Sequence, residues 1–161
     1  MEAIIVQHGE AVEASVNPER PLSKKGQEQC IKLAQFLKII SWKPDIIIHS
    51  GILRAYESAA IVAEKFHCEV AVNKLINPKD NPDAIIQYLL LEKRNVIVVT
   101  HKPFIDVLMA RVLATSQTGL ITITNASPVF VSSDGEMLYC KAYIPETMID
   151  AIIRSFSNRQ S

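Results

Sequence analysis

Two short apolar runs in this chain each stop at a histidine, and a third stops at a serine–glycine–arginine corner. Ala3-Ile4-Ile5-Val6-Gln7 ends at His8-Gly9. Asp45-Ile46-Ile47-Ile48 ends at His49-Ser50-Gly51, with Arg54 opening the next helix. Asn95-Val96-Ile97-Val98-Val99-Thr100 ends at His101-Lys102-Pro103. In an open parallel sheet, ligands bind outside the carboxyl ends of the strands. Two imidazoles and a guanidinium converging there point to chemistry on a small anion, a phosphoryl group above all.

Helical patterns separate these runs. Ser23 is placed to cap a helix whose apolar face is Cys30, Leu33, Ala34, Leu37 and Ile40, until Lys43-Pro44 breaks it. A second helix over residues 53–66 carries Ala55, Ala59, Val62, Ala63 and Phe66 at the same spacing, and a short strand over 69–72 follows. Asn81-Pro82 reads as a cap with proline at the first helical position, before Ile85, Ile86, Leu89 and Leu90. Pro103 opens a helix with Phe104, Val107, Leu108 and Val112. Residues 120–124, 129–132 and 137–143 read as strands, with Asp134-Gly135 as a hairpin turn between the last two. Pro145 starts a final helix with Met148, Ile149, Ile152 and Ile153. The expected architecture is α/β: three layers, αβα, around a mostly parallel central sheet with antiparallel edge strands.

The bulk composition narrows the function. A chain of 161 residues is long enough to bury one core, so a single domain over 1–161 is expected. Lysine plus arginine and aspartate plus glutamate number 17 each, so the formal net charge is +0. A nucleic-acid partner calls for a basic excess or stripe, and neither is present. Cys30, Cys68 and Cys140 are odd in number and lack CxxC spacing, which fits a reducing compartment better than disulfides or zinc. No signal-peptide pattern or apolar run near the roughly 20 residues of a membrane span occurs. A cytoplasmic protein with no membrane partner is the expectation.

The segment Val6-Gln7-His8-Gly9-Glu10-Ala11 resembles the Arg-His-Gly signature of the histidine phosphatase superfamily. Arg20-Pro21-Leu22-Ser23-Lys24-Lys25-Gly26 resembles its R-P-L-[ST]-x-x-G, Ser50-Gly51-Ile52-Leu53-Arg54-Ala55 its S-x-x-x-R-A, and Thr100-His101-Lys102-Pro103 its [ST]-H-x-P. The short length and the R-P-L-S segment are most similar to the SixA-type phosphohistidine phosphatases. The resemblance implies a phosphoglycerate mutase-like fold and a hydrolase acting without metal or organic cofactor. It implies His8 as the nucleophile, His101 as a donor to the phosphoryl group, and Arg54 and Arg20 as holders of the phosphate oxygens, with Gln7 and Gly9 beside them. The partner it implies is a phosphorylated protein in signal transduction, such as a histidine-phosphotransfer domain; we expect the enzyme to be a monomer.

These residue types suit the chemistry on physical grounds. A neutral imidazole is nucleophilic near pH 7 because its unperturbed pKa is about 6.5. Covalent catalysis divides one hard step into two easier ones. Phosphoryl transfer needs alignment and charge stabilisation, which guanidinium forks and protonated imidazole supply. Gly9 lets the backbone approach the phosphate, and the helix after Pro103 would turn its partly positive N-terminus toward the site.

Two features depart from the family pattern. Its first arginine is Gln7 here, an uncharged donor that cannot make the same bidentate fork. By analogy with losing one oxyanion donor, the change costs roughly 100- to 1,000-fold in rate. Val72-Asn73-Lys74-Leu75-Ile76-Asn77-Pro78 also lacks the carboxylate that ester-cleaving relatives place after the third strand, although Asp80 and Asp83 lie close in sequence. An alkoxide leaving group wants a proton, whereas an imidazole leaving a P–N bond needs less help. The pattern therefore leans toward phosphohistidine. A non-catalytic phosphohistidine- or phosphate-binding module and a phosphatase or mutase of small phosphate esters are the alternatives. A metal hydrolase fits less well, since no HExxH-like ligand spacing occurs.

Overall fold

The computed structural model describes residues 1–159. Its elements run β1 (Glu2–Gln7), α1 (Lys24–Ile39), β2 (Ile46–His49), α2 (Leu53–Phe66), β3 (Glu69–Val72), α3 (Asp83–Leu91), β4 (Val96–Thr100), α4 (Phe104–Val112), β5 (Val129–Ser133), β6 (Leu138–Tyr143) and α5 (Glu146–Ser157). The strands form one 6-stranded sheet in the order β3-β2-β4-β1-β5-β6. The first four are parallel, β5 adds antiparallel to β1, and β6 pairs antiparallel with β5 at the edge. The α/β architecture expected from the sequence is the one found.

Local chemistry sets the element ends. Ser23 is extended, and its Oγ accepts the Gly26 N–H at 3.0 Å to cap α1. The Asn81 side chain accepts the Asp83 N–H at 3.0 Å where α3 begins. The β5–β6 hairpin turns through Gly135 at φ 98°, and Asp134 Oδ1 takes the N–H groups of Glu136 and Met137.

Strand alternation divides the core in two. Ile4, Val6, Ile47, Ile97 and Val99 pack toward α1, α2 and α5. Ala3, Ile5, Ile46, Ile48, Val96 and Val98 pack toward α3 and α4. These central strands are apolar on both faces because helices cover both.

The expectation of a strand over residues 120–124 is not met. The segment is irregular, with only an isolated bridge from Gln7 to Asn125. Its backbone finds a side chain in place of a sheet neighbour: Tyr143 Oη donates to the Thr122 carbonyl at 3.0 Å and receives the Thr124 N–H at 3.3 Å. Ile40 and Met148, assigned to buried helix faces, are exposed instead. Ile40 lies past the last turn of α1, as its C-cap. Among the described residues no helix is long and apolar enough to cross a membrane.

One topological fact positions the site. β1 and β4 lie side by side with Gln7 paired to Thr100, so both chains leave the sheet at the same level. α1, after β1, packs on one face, and α4, after β4, on the other. Neighbouring strands whose connections depart to opposite faces open a crevice at their carboxyl ends.

Candidate active site

His8 and His101 are the residues that follow β1 and β4, and their ring centroids stand 5.0 Å apart, tilted by 56°. His8 is 7% exposed and His101 1%. The His8 N–H bonds the Thr100 carbonyl at 3.0 Å, which carries the strand pairing one residue beyond the sheet.

The neighbours of His8 define its tautomer. Nδ1 lies 2.6 Å from the Gly9 carbonyl, which can only accept, so Nδ1 carries the proton. Nε2 receives the Nε–H of Arg54 at 2.9 Å, so a lone pair sits there. Arg54 is in the first turn of α2, and the Ser50-Gly51-Ile52 corner delivers it to the end of β1. Arg20 joins from the loop between β1 and α1. Its Nε donates to the Val12 carbonyl at 3.2 Å, and its backbone has φ 51°. A left-handed non-glycine residue is strained and clusters at functional sites.

Burial and charge act together on both rings. Burial first, and then the Arg54 and Arg20 charges, pull His8 down to about 4 against the upward pull of its bond to Gly9. Burial, then His8 and Arg54, pulls His101 down to about 3. Both imidazoles are neutral at pH 7, so the protonated imidazole expected from the sequence is not found and the positive charge at the site comes from the guanidinium groups. Burial, then Arg20, pushes Arg54 below its usual value. Among the described residues no carboxylate forms an ion pair with Arg20 or Arg54. A chain of zero net charge thus keeps two uncompensated guanidinium groups around two neutral imidazoles, an arrangement that suits an anion.

Gly9 has a steric reason. A Cβ there would meet the Gly26 carbonyl oxygen at 2.5 Å and Cys30 Sγ at 3.0 Å. One on Gly26 would meet the Glu10 carbonyl oxygen at 2.0 Å. The two glycines let the β1 exit loop lie directly on the first turn of α1. Glu10 accepts from Ser23 Oγ and Lys25 Nζ, each at 2.9 Å, so Lys25 is paired at the surface.

Gln7 ends β1, half-buried, and among the described residues nothing hydrogen-bonds its side-chain amide. The carboxylates nearest the missing acid are engaged elsewhere. Asp80 Oδ2 accepts the Asn77 backbone N–H at 2.7 Å, and Asp83 stands 3.9 Å from Arg111 of α4. Among the described residues no cluster of three His, Cys, Asp or Glu side chains is arranged to hold a metal.

Ser58 and Asn125 are supporting residues that the sequence analysis did not single out. Ser58, one helical turn after Arg54, donates to the Arg54 carbonyl at 2.7 Å and accepts the Gly9 N–H at 3.0 Å. Its four-residue spacing from Arg54 was the available signal. Asn125 Nδ2 donates to the His8 carbonyl at 2.7 Å across 117 residues, for which no local signal exists. Ser50 Oγ lies 2.6 Å from His101 Nε2. His49 is at the end of β2, buried, and accepts the Gly51 N–H on Nδ1 at 3.1 Å.

Residues 3–77 match the sequence profile of the histidine phosphatase superfamily (branch 1). Solved structures extend the likeness to the whole fold. The protein histidine phosphatase SixA, complexed with tungstate, superposes with a TM-score of 0.80 at 20% identity, covering 91% of this chain and 98% of that one. A putative phosphohistidine phosphatase SixA from Agrobacterium tumefaciens gives 0.73 at 13% identity, over 89% and 97%. Phosphoserine phosphatase from Entamoeba histolytica, in complex with 3-phosphoglyceric acid, gives 0.72 at 17% identity, over 92% and 98%. No curated protein matches the sequence.

Proposed function

We propose that this protein is a phosphatase that removes the phosphoryl group from phosphohistidine on a partner protein, through a phospho-His8 intermediate. One observation carries the phosphoryl-transfer reading: the His8 Nε2 lone pair, held by the Arg54 Nε–H at 2.9 Å beside the buried His101 ring. In the reaction the lone pair attacks phosphorus as the P–N bond to the substrate imidazole breaks. Arg54 and Arg20 draw the equatorial oxygens and balance their charge. His101 donates a hydrogen bond to the phosphoryl group. Water then attacks the phosphorus of phospho-His8, releasing inorganic phosphate and restoring the neutral ring.

The preference for a P–N over a P–O bond is supported by Asp80 and Asp83, whose contacts to Asn77 and Arg111 turn them to structural work. An ester would need one of them as a proton donor. Gln7 favours a second reading, a module that binds phosphohistidine without turnover, because one guanidinium of the family pattern is replaced.

The test is incubation with a phosphorylated histidine-phosphotransfer domain. Phosphate release, with an acid-labile phosphoprotein that disappears in His8→Ala, is the expected result. Stable binding without release would favour the binding module. Faster hydrolysis of small phosphate esters than of phosphohistidine would favour an esterase.

A further inference from the structure

We infer that Ser50 decides which nitrogen of His101 carries the proton, and so makes the neutral ring a hydrogen-bond donor toward a bound phosphoryl group. The consequence for catalysis rests on the phosphoryl-transfer reading; the geometry does not. Ser50 and His101 are both buried, with Ser50 Oγ 2.6 Å from His101 Nε2. Ser50 Oγ also receives the Ile52 N–H at 3.3 Å. The other ring nitrogen, His101 Nδ1, is buried and has no hydrogen-bond partner among the described residues.

A hydroxyl has one proton and two lone pairs. If Nε2–H donated to Ser50, the Ser50 hydroxyl proton would be buried with no acceptor among the described residues, and a bare lone pair would remain at Nδ1, in a ring whose centroid is 5.0 Å from that of His8. If Ser50 donates to Nε2, its own oxygen is satisfied by Ile52, and a single group is left open: an Nδ1–H, a donor with no acceptor. An unpaired buried polar group is costly unless a ligand completes it. A phosphoryl oxygen supplies the acceptor that Nδ1–H lacks, whereas a lone pair there would repel it.

Ser50 is itself held in place. His49 Nδ1 accepts the Gly51 N–H at 3.1 Å, and Gly51 turns the corner at φ 90°. A hydroxyl is suited to this position in a way a carboxylate is not. It orients the ring without adding negative charge next to an anion site, and if the ring becomes protonated the hydroxyl rotates to accept from Nε2–H.

The test reads the proton directly. In protein labelled with ¹⁵N, long-range ¹H–¹⁵N correlation spectra distinguish protonated from bare ring nitrogens. At pH 7 the wild type is expected to show His101 protonated on Nδ1. Ser50→Ala is expected to shift the population toward Nε2–H and to weaken binding of inorganic phosphate about tenfold, the loss of one well-oriented bond to an anion. Ser50→Thr restores both, because it restores the hydroxyl. Should Ser50→Ala fail to fold, Ser50→Gly, which also has no side-chain donor, serves the same comparison. An Nε2–H tautomer in the wild type, or an unchanged tautomer in the folded Ala or Gly variant, overturns the assignment. The expected tautomer in a protein that releases no phosphate from phosphohistidine would sink the phosphatase reading and leave the Ser50 assignment standing.

Discussion

Arg54 donates its Nε–H to His8 Nε2 at 2.9 Å, so the group proposed to bind the phosphate oxygens also holds the lone pair proposed to attack phosphorus. In the proposed reaction an incoming anion would compete for the guanidinium and free the lone pair as it binds. Arg54→Ala should therefore lower turnover of the phosphorylated partner roughly 1,000-fold, the loss of a preorganised charge that meets the transferring group. Arg54→Lys should recover only part of this, because an ammonium cannot both fork around phosphate and reach Nε2. Steady-state phosphate release checks both, and full activity in the lysine variant would contradict the double role.

Gln7 offers a gain of function. Gln7→Arg adds a guanidinium at the end of β1, one residue before the proposed nucleophile, and is expected to raise turnover by roughly 10-fold or more. The comparison is made on variants with matching melting temperatures. An unchanged or lower rate would mean that Gln7 is adapted to something other than fast hydrolysis.

The packing of Gly26 against the Glu10 carbonyl has a structural consequence. A methyl at Gly26 would lie 2.0 Å from that oxygen, which is backbone and has little room to move. Gly26→Ala should destabilise the fold by about 3 kcal/mol, the upper range for overpacking, readable from denaturant midpoints. Gly135→Ala is a control of different origin: nothing lies within 4 Å of its Cβ position, so its cost comes from the φ of 98° alone.

Acid should act on the two buried rings. An unfolded histidine titrates near 6.5, whereas His8 is pulled down to about 4 and His101 to about 3. Between these values the unfolded chain binds protons that the folded protein refuses, so stability rises with pH. The contribution is complete above about pH 6.5 and is lost as the pH falls toward 4 and then 3. Melting temperature should drop from pH 7 to pH 4.5, with a shallower slope in His101→Asn. Because His8 stays neutral, kcat/KM should remain level down to about pH 5 and fall below it. An acid limb centred at the ordinary histidine value would show that the His8 lone pair is not the attacking group.

Much of this protein was written in the local sequence. Strands that are apolar at every position, helices with three- and four-residue spacing, Ser23 as a cap and Asp134-Gly135 as a turn depend on neighbours a few residues away, so their pattern survives in one dimension. The same holds for the placement of His8 and His101 at strand ends, since a strand's end is a local event. Tertiary structure alone decided that β1 and β4 are neighbours in register, because strand order follows from how helices cover the two faces of a sheet. It also decided the supporting bonds: Asn125 on the His8 carbonyl, Ser58 on the Gly9 N–H, Ser50 on His101, and Tyr143 serving the backbone of residues 122–124 in place of a strand. Hydrogen bonds between residues tens or a hundred positions apart leave no periodicity behind. Their energy is gained only after the chain has closed the loops that bring the partners together.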